Sequence, residues 1–225
     1  MKLLLFDIDG TLIATGGAGQ HAFLRTTQEI MGFDDDLATV PFHGQTDTSI
    51  TARILKNNGV EPTEEKIDAF LDAYLGFLEE ELPRCQGALL PGVRELLDEL
   101  HEDERFFVGL LTGNTRTGAQ LKLTYYGIWE YFNVGAFGDD HHHRNELPAY
   151  AHRRALDVRG VNFAPEQIYV IGDTPKDIEC GKAFGANTLA VATGGTSLAE
   201  LLEHKPTHAL EDFVDTAAIL RLLGQ

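Results

Sequence analysis

Cysteine and positive charge are both scarce in this sequence of 225 residues. The two cysteines, Cys85 and Cys180, lie far apart, without the spacing of a zinc site. This argues against a disulfide scaffold and predicts reduced thiols in a cytoplasmic protein. Lysine and arginine number 18 against 35 aspartates and glutamates, which gives a formal net charge of −17. That balance argues against binding to nucleic acid or to an anionic membrane, because both need clustered cations.

Long hydrophobic runs are missing as well. The apolar run Leu3–Phe6 is too short for a membrane span or for the central region of a signal peptide. We therefore expect no membrane insertion and interpret this run as a buried strand. Hydrophobic residues still make up 43% of the chain, which is enough for a substantial core.

Short apolar runs rich in β-formers alternate with helical patterns along much of the chain. Each run is followed by glycine, aspartate or threonine and then by a helix-like stretch. This alternation predicts an α/β fold, a Rossmann-like parallel sheet covered by helices. The predicted strands are Leu3–Phe6, Phe106–Leu111, Val134–Phe137, Ile168–Ile171 and Thr188–Ala192.

The segment between the first two predicted strands has a different pattern. It lacks a convincing strand, and its clearest feature is a helical apolar stripe from Ile67 to Leu82. We predict a core domain formed by residues 1–13 and 88–225, with a helical cap domain inserted at residues 14–87. The glycines Gly16, Gly17 and Gly19 are expected to form a hinge into this cap.

Acidic and small polar residues follow three of the predicted strands, in the segments Asp7–Leu12, Thr112–Asn114 and Gly172–Asp177. The carboxyl ends of parallel strands form the usual ligand site of an open sheet. Carboxylates gathered there would raise one another's pKa unless a cation were present. Oxygen ligands of this kind favour Mg²⁺, which binds a few carboxylates together with a substrate phosphate.

The spacing of Asp7 and Asp9 suits phosphoryl transfer. Side chains two apart in an extended segment point the same way, so one carboxylate can attack phosphorus while the other protonates the leaving oxygen and later activates water. Thr112 and the backbone N–H groups near Gly113 and Asn114 are candidates for holding phosphate oxygens.

These segments resemble the motifs of the haloacid dehalogenase superfamily. Asp7–Leu12 is similar to its first motif, Leu111–Asn114 to its second and Gly172–Asp177 to its fourth. The likeness includes the order of the motifs and the position of the helical insertion, which the family uses as a mobile cap. It also implies that Thr112 and Asn114 contact the transferring phosphoryl group.

The resemblance implies roles for the acidic residues. Asp7 would be the nucleophile and Asp9 the general acid and base. Mg²⁺ would be held by Asp7, the backbone carbonyl of Asp9 and Asp173. Asp177 would orient the site.

The third motif of the family is usually a lysine, and here the matching stretch is Arg144–Pro148. We predict that Arg144 takes the role, because a guanidinium binds phosphate oxygens and keeps its charge. Lys122 and Lys176 are the alternatives, and Lys176 could equally form a salt bridge at a helix start.

Two further segments have open interpretations. His141–His143 fits a solvent loop better than a metal site, with contact to substrate or cap as the alternative. Phe42–Asp47 resembles a stretch of phosphoglycolate-phosphatase-like proteins, in which arginine or lysine often stands at the place of Gln45. It could also be a turn and a helix start capped by Thr46 or Asp47.

The leading hypothesis is a Mg²⁺-dependent phosphatase acting on a small phosphorylated metabolite through an aspartyl-phosphate on Asp7. A phosphosugar mutase shares this chemistry, and a non-catalytic module of the same fold is a further alternative. A dehalogenase needs no acid for an alkoxide, so Asp9 argues against it. We expect a monomer or a homodimer.

Overall fold

The computed structural model describes residues 1–224. In chain order the strands are β1 (Lys2–Phe6), β2 (Ile13–Ala14), β3 (Ala88–Leu89), β4 (Phe106–Leu111), β5 (Val134–Ala136), β6 (Ile168–Gly172), β7 (Asn187–Val191) and β8 (His208–Leu210). The helices are α1 (Ala18–Arg25), α2 (Asp47–Asn57), α3 (Glu64–Glu81), α4 (Val93–Glu102), α5 (Arg116–Tyr125), α6 (Leu147–Arg159), α7 (Pro175–Phe184), α8 (Leu198–Glu203) and α9 (Thr216–Leu223). No helix within residues 1–224 combines the length and apolarity needed to cross a membrane.

A six-stranded parallel sheet forms the core, in the order β5-β4-β1-β6-β7-β8. This confirms the predicted α/β class. The sequence analysis did not predict the edge strand β8, which is only three residues long. It also missed the antiparallel pair of β2 and β3, in which Ile13 lies opposite Leu89. Such short strands carry too little periodicity to be recognised.

The central strand β1 is buried on both faces, which explains its unbroken run of apolar residues. Leu4 and Phe6 belong to one hydrophobic cluster, together with Leu96 of α4. Leu3 and Leu5 belong to another on the opposite face. Because both faces are covered, β1 is fixed in the sheet, and so is the loop that follows it.

The three helices α1, α2 and α3 lie between β2 and β3 in the chain, where the helical insertion was predicted. They share a hydrophobic cluster of their own, which includes Phe23, Phe70 and Tyr74. The rings of Phe23 and Tyr74 stack with centroids 4.1 Å apart. We call residues 14–87 the cap, and its independence as a domain stays a prediction.

The start of α2 contacts the core directly. The Asp47 backbone N–H donates to the Gly113 carbonyl oxygen at 2.7 Å, and the Thr115 N–H donates to the Asp47 carboxylate at 2.9 Å. The Thr48 hydroxyl donates to the Gly138 carbonyl oxygen at 2.9 Å. Thr46 caps the helix by accepting from the Ser49 N–H, so one of the two predicted caps is present. These bonds hold the cap over the carboxyl edge of the sheet.

Gly113 allows this close approach, because a Cβ there would overlap the Gln45 carbonyl oxygen. We expect Gly113→Ala to push the α2 start away and to speed hydrogen exchange of the Asp47 amide by about tenfold or more. Exchange measured by NMR checks this. Gly76→Ala on α3, where a Cβ meets nothing within 4 Å, is the control. Unchanged exchange in a folded Gly113→Ala protein would contradict the expectation.

Candidate active site

The register of β1 with its neighbours brings the acidic segments together. Phe6 lies opposite Leu110 of β4 and Ile171 of β6. The residues just beyond these strands therefore emerge at the same edge of the sheet. The Asp7 backbone N–H donates to the Ile171 carbonyl oxygen at 2.8 Å, which fixes the start of the loop after β1.

Asp7, Asp173 and Asp177 are buried, and each offers a carboxylate oxygen within 4.8 Å of the others. Burial raises the pKa of Asp7 to about 6, although Arg144 opposes the shift. Burial, Asp177 and Asp7 together raise the pKa of Asp173 to about 8. Three carboxylates held so close are unfavourable without a compensating cation. This oxygen-only donor set fits Mg²⁺, which was the predicted cofactor.

Asp173 lies in a tightly packed position. The Thr11 hydroxyl donates to Asp173 Oδ1 at 3.0 Å. Gly10 has φ +83°, and a Cβ there would lie 2.5 Å from Asp173 Oδ2. A Cβ at Gly194 would overlap the same oxygen. Glycine at both positions lets the loops after β1 and β7 close around this carboxylate.

Arg144 lies among the acidic side chains, as the comparison with the third motif predicted for a cation. It begins a short 3₁₀ turn that leads into α6. Its guanidinium Nη2 is 3.1 Å from Asp7 Oδ1 and 2.5 Å from Asp177 Oδ1. Burial lowers the pKa of Arg144, but the two aspartates outweigh this and hold it above its ordinary value. The buried Arg144 Nε finds no hydrogen-bond partner within residues 1–224.

Lys122 reaches the same site from α5. Its Nζ lies 2.6 Å from Asp9 Oδ2 and 2.6 Å from Asn114 Oδ1, and its side chain is 5% exposed. The Asn114 amide donates to Asp9 Oδ2 and to Thr112 Oγ1, each at 2.8 Å. The sequence analysis predicted Arg144 for the role of the third-motif lysine and kept Lys122 as an alternative. The structure brings both into the site, with Arg144 beside Asp7 and Lys122 beside Asp9.

Lys176, the third candidate cation, is exposed on the first turn of α7 and does not line the cavity. Gly44 lies against its aliphatic stem, since a Cβ at Gly44 would meet Lys176 Cγ at 2.7 Å. Its neighbour Asp177 is buried and accepts from the Thr174 backbone N–H at 3.0 Å and from the Thr174 hydroxyl at 2.6 Å. Consecutive helical residues are rotated by about 100°, so the two side chains diverge.

The consecutive histidines His141–His143 lie outside the cavity lining. The rings of His142 and His143 are 4.1 Å apart, and both residues are exposed. This matches the solvent loop favoured by the sequence. The loop also contacts the cap, because the Thr46 hydroxyl donates to the His142 carbonyl oxygen at 3.1 Å.

A cavity of about 410 Å³ lies between the core and the cap. Its core side includes Asp7, Asp9, Thr112, Gly113, Asn114, Lys122, Arg144 and Asp173. Its cap side includes side chains that the sequence analysis did not assign to the site, namely Gln20, Phe23, Phe42, Asp47, Ile50 and Tyr74. Of these residues, only Phe42 and Asp47 could have been found from the sequence, because the segment 42–47 resembles a cap stretch of phosphoglycolate-phosphatase-like proteins.

Burial raises the pKa of Asp47 to about 7, and Lys122 opposes this shift. Burial, Asp47 and Asp9 hold the pKa of Tyr74 well above its usual value, so its hydroxyl remains a hydrogen-bond donor. The cap therefore adds an acid and a phenol to the polar groups of the core.

Comparison with known proteins places this geometry in a family. The sequence profile described as haloacid dehalogenase-like hydrolase matches residues 4–191. The chain is 27% identical over 224 residues to the pyrophosphatase PpaX of Bacillus cereus, covering 98% of this chain and 96% of PpaX. It is 25% identical over 223 residues to a Dickeya dadantii protein named "Probable phosphatase IndB", covering 98% and 94% of the two chains.

A solved structure shows the same fold. A hydrolase from Pseudomonas syringae superposes with a TM-score of 0.74 at 20% identity, over 99% of both chains. The profile match covers most of the chain and includes the segments that carry Asp7, Asn114 and Asp173. The predicted superfamily is thus confirmed, and the chain belongs to the haloacid dehalogenase-like hydrolases.

Proposed function

We propose that this chain is a Mg²⁺-dependent phosphomonoesterase that transfers a phosphoryl group from a small metabolite to Asp7 and then to water. The observation that carries the proposal is the pairing of Asp7 with Arg144 and of Asp9 with Lys122 at one end of a covered cavity. Relatives named as phosphatase and pyrophosphatase, similar over nearly the whole chain, support the same reaction class.

In the first half of the reaction, an Asp7 carboxylate oxygen attacks phosphorus and the bond to the ester oxygen breaks. Asp9 gives its proton to that oxygen, and the alcohol leaves. The Lys122 ammonium, 2.6 Å from Asp9 Oδ2, stabilises the carboxylate that remains. Asn114 donates to the same oxygen and limits its rotation.

In the second half, the Asp9 carboxylate takes a proton from water while the water oxygen attacks the phosphorus on Asp7. The bond between phosphorus and the Asp7 oxygen breaks, which releases inorganic phosphate and restores both acids. The cap lies over the cavity and limits the entry of other water molecules.

The transferring phosphoryl group needs donors for its oxygens. Arg144 supplies a buried guanidinium whose Nε has no partner within the described residues. The Thr112 hydroxyl and the backbone N–H of Gly113 are further donors at the end of β4, whereas the Asn114 N–H already donates to Thr112 Oγ1 at 3.3 Å. In this proposal Lys176 contributes little, since it lies outside the cavity lining.

Asp7, Asp173 and the backbone carbonyl of Asp9 would hold Mg²⁺, with Asp177 orienting the group. The bound ion would offset charge on these carboxylates and on the phosphoryl oxygens. Asp177 already accepts from Thr174 and contacts Arg144, so its carboxylate is fixed in place.

Asp7→Asn should abolish phosphate release from para-nitrophenyl phosphate with Mg²⁺, by at least about 10³-fold, because an amide is a poor nucleophile. Asp72→Asn, which removes an exposed acid on α3, should retain wild-type activity. Turnover of Asp7→Asn within tenfold of wild type would refute the mechanism. Release of free phosphate, rather than transfer to a sugar hydroxyl, also separates a phosphatase from a mutase.

The three cations should differ sharply on substitution. We expect Arg144→Met and Lys122→Met each to lower kcat/KM by at least about 10²-fold, because each removes a positive charge beside one of the two acids. Arg144→Lys keeps the buried charge and should lower kcat/KM less, which separates loss of the charge from damage to the fold. Lys176→Ala should stay within about twofold of wild type. A crippled Lys176→Ala with a mild Arg144→Met would reverse the assignment.

Metal removal should stop the reaction and also change stability. We expect EDTA to abolish activity and Mg²⁺ to restore it. Mg²⁺ should also raise the Tm of the wild type, because it offsets repulsion among buried carboxylates. Asp173→Asn should raise the Mg²⁺ concentration for half-maximal activity by about tenfold or more, whereas Glu179→Gln, at an exposed position of α7, should not. Full activity in EDTA would disprove Mg²⁺ dependence.

A further inference from the structure

The cap side of the cavity differs in chemistry from the core side. Its surface is largely aromatic and aliphatic, since Phe23, Phe42, Ile50 and Tyr74 line it. The ring of Phe23 lies 5.7 Å from that of Phe42, edge to face, and stacks on Tyr74. Phe23, Ile50 and Tyr74 are buried in the core of the cap and Phe42 packs against it, so these contacts hold the wall in place. In the proposed reaction this wall would face the part of the substrate that is not transferred.

Within residues 1–224, each lysine and arginine that lines the cavity is already paired with a carboxylate. The lining contains four aspartates, one lysine and one arginine. Lys122 is already bound to Asp9, and Arg144 to Asp7 and Asp177. Both cations are therefore paired with carboxylates of the core side. Gln45, two residues before the start of α2, also lines the cavity and is neutral.

Asp47 gives the cap side a carboxyl group, which carries a negative charge above its raised pKa of about 7. It is 6% exposed, and its Oδ2 accepts from the Thr115 N–H at 2.9 Å, which fixes the carboxylate at the cavity wall. The Tyr74 hydroxyl lies nearby on the same wall. Gly19 lies close to both walls, because a Cβ there would be in van der Waals contact with Lys122 Nζ and the Tyr74 hydroxyl, 3.7 Å from each.

A second anionic group on the substrate would meet this wall. It would lose its water, lie near the Asp47 carboxylate and find both cations engaged. A hydroxyl or an ammonium would instead donate to Asp47, and a hydroxyl could also accept from Tyr74. The aromatic wall suits the carbon chain between the two ends. His43 also lines the cavity but is exposed, so water screens any charge on it.

We infer that the substrate is a phosphomonoester whose alcohol part is uncharged or carries an ammonium, with a hydroxyl or amino group against Asp47 and Tyr74. Esters whose alcohol part carries a carboxylate are poor substrates. This inference rests on the proposed phosphatase function and names the substrate class of the same site.

The test compares matched esters at pH 8 with Mg²⁺, above the range in which histidine usually changes charge. The two-carbon set is 2-hydroxyethyl phosphate, phosphoethanolamine and phosphoglycolate. The six-carbon set is sorbitol 6-phosphate, glucosamine 6-phosphate and 6-phosphogluconate. The decisive set is the one that the enzyme hydrolyses with the higher kcat/KM. In that set, kcat/KM for the neutral and cationic esters should exceed kcat/KM for the carboxylate ester by at least about tenfold. An equal or better carboxylate ester overturns the inference.

Two variants assign the selectivity to the cap. Asp47→Asn keeps an oxygen for the Thr115 N–H and removes the charge, so the preference against the carboxylate ester should fall at least about fivefold. Gln45→Arg adds a cation and should favour that ester further. Asp72→Asn removes an equal charge outside the cavity and should leave the preference unchanged. Asp47→Asn with wild-type preference overturns the role of Asp47.

Para-nitrophenyl phosphate separates this inference from the proposed function. If para-nitrophenyl phosphate is hydrolysed but the carboxylate esters have the higher kcat/KM within their sets, the phosphatase function stands and the inferred substrate class is wrong. If neither para-nitrophenyl phosphate nor any ester of the two sets releases phosphate, both are wrong. Hydrolysis of para-nitrophenyl phosphate together with preference for the neutral or cationic esters supports both.

Discussion

The balance of charge at the carboxyl edge of the sheet is the constraint on which the rest of the site depends. Asp7, Asp173 and Asp177 are buried within a few ångströms of one another, and burial raises the pKa of Asp7 and of Asp173. Such a group needs positive charge nearby. Arg144, in the turn before α6, supplies part of this positive charge. The same carboxylates are also suitable ligands for a divalent cation.

Tight backbone packing makes this arrangement possible. The loops after β1 and β7 approach Asp173 so closely that Gly10 and Gly194 have no room for a side chain. The Gly113 loop approaches the cap in the same way. Each glycine removes the bulk that would otherwise separate two strand ends, or the core from the cap. The core thus provides the chemistry, and the cap closes the cavity over it and adds Asp47.

The two cations divide the proposed chemistry between the two acids. Arg144 lies beside Asp7, the proposed nucleophile, and Lys122 lies beside Asp9, the proposed acid and base. Because both are paired with carboxylates of the core, the cap wall is left with an acid and aromatic rings. One charge arrangement therefore supports both the proposed reaction and the inferred choice of substrate.

The sequence by itself determined the α/β fold and the candidates Asp7, Asp9, Thr112 and Asp173, because they directly follow apolar strands whose ends must meet at one edge. It predicted Arg144 as the cation of the site, with Lys122 and Lys176 as alternatives, but it did not show that Arg144 and Lys122 are both present there. Lys122 is 113 residues from Asp9 in the chain, and no local pattern links the two. Lys176 lies next to Asp177 in sequence, yet the helical rotation turns it outward. Asp47 and Tyr74 reach the cavity only because the cap folds over the sheet, and that contact between distant segments was decided by the tertiary structure.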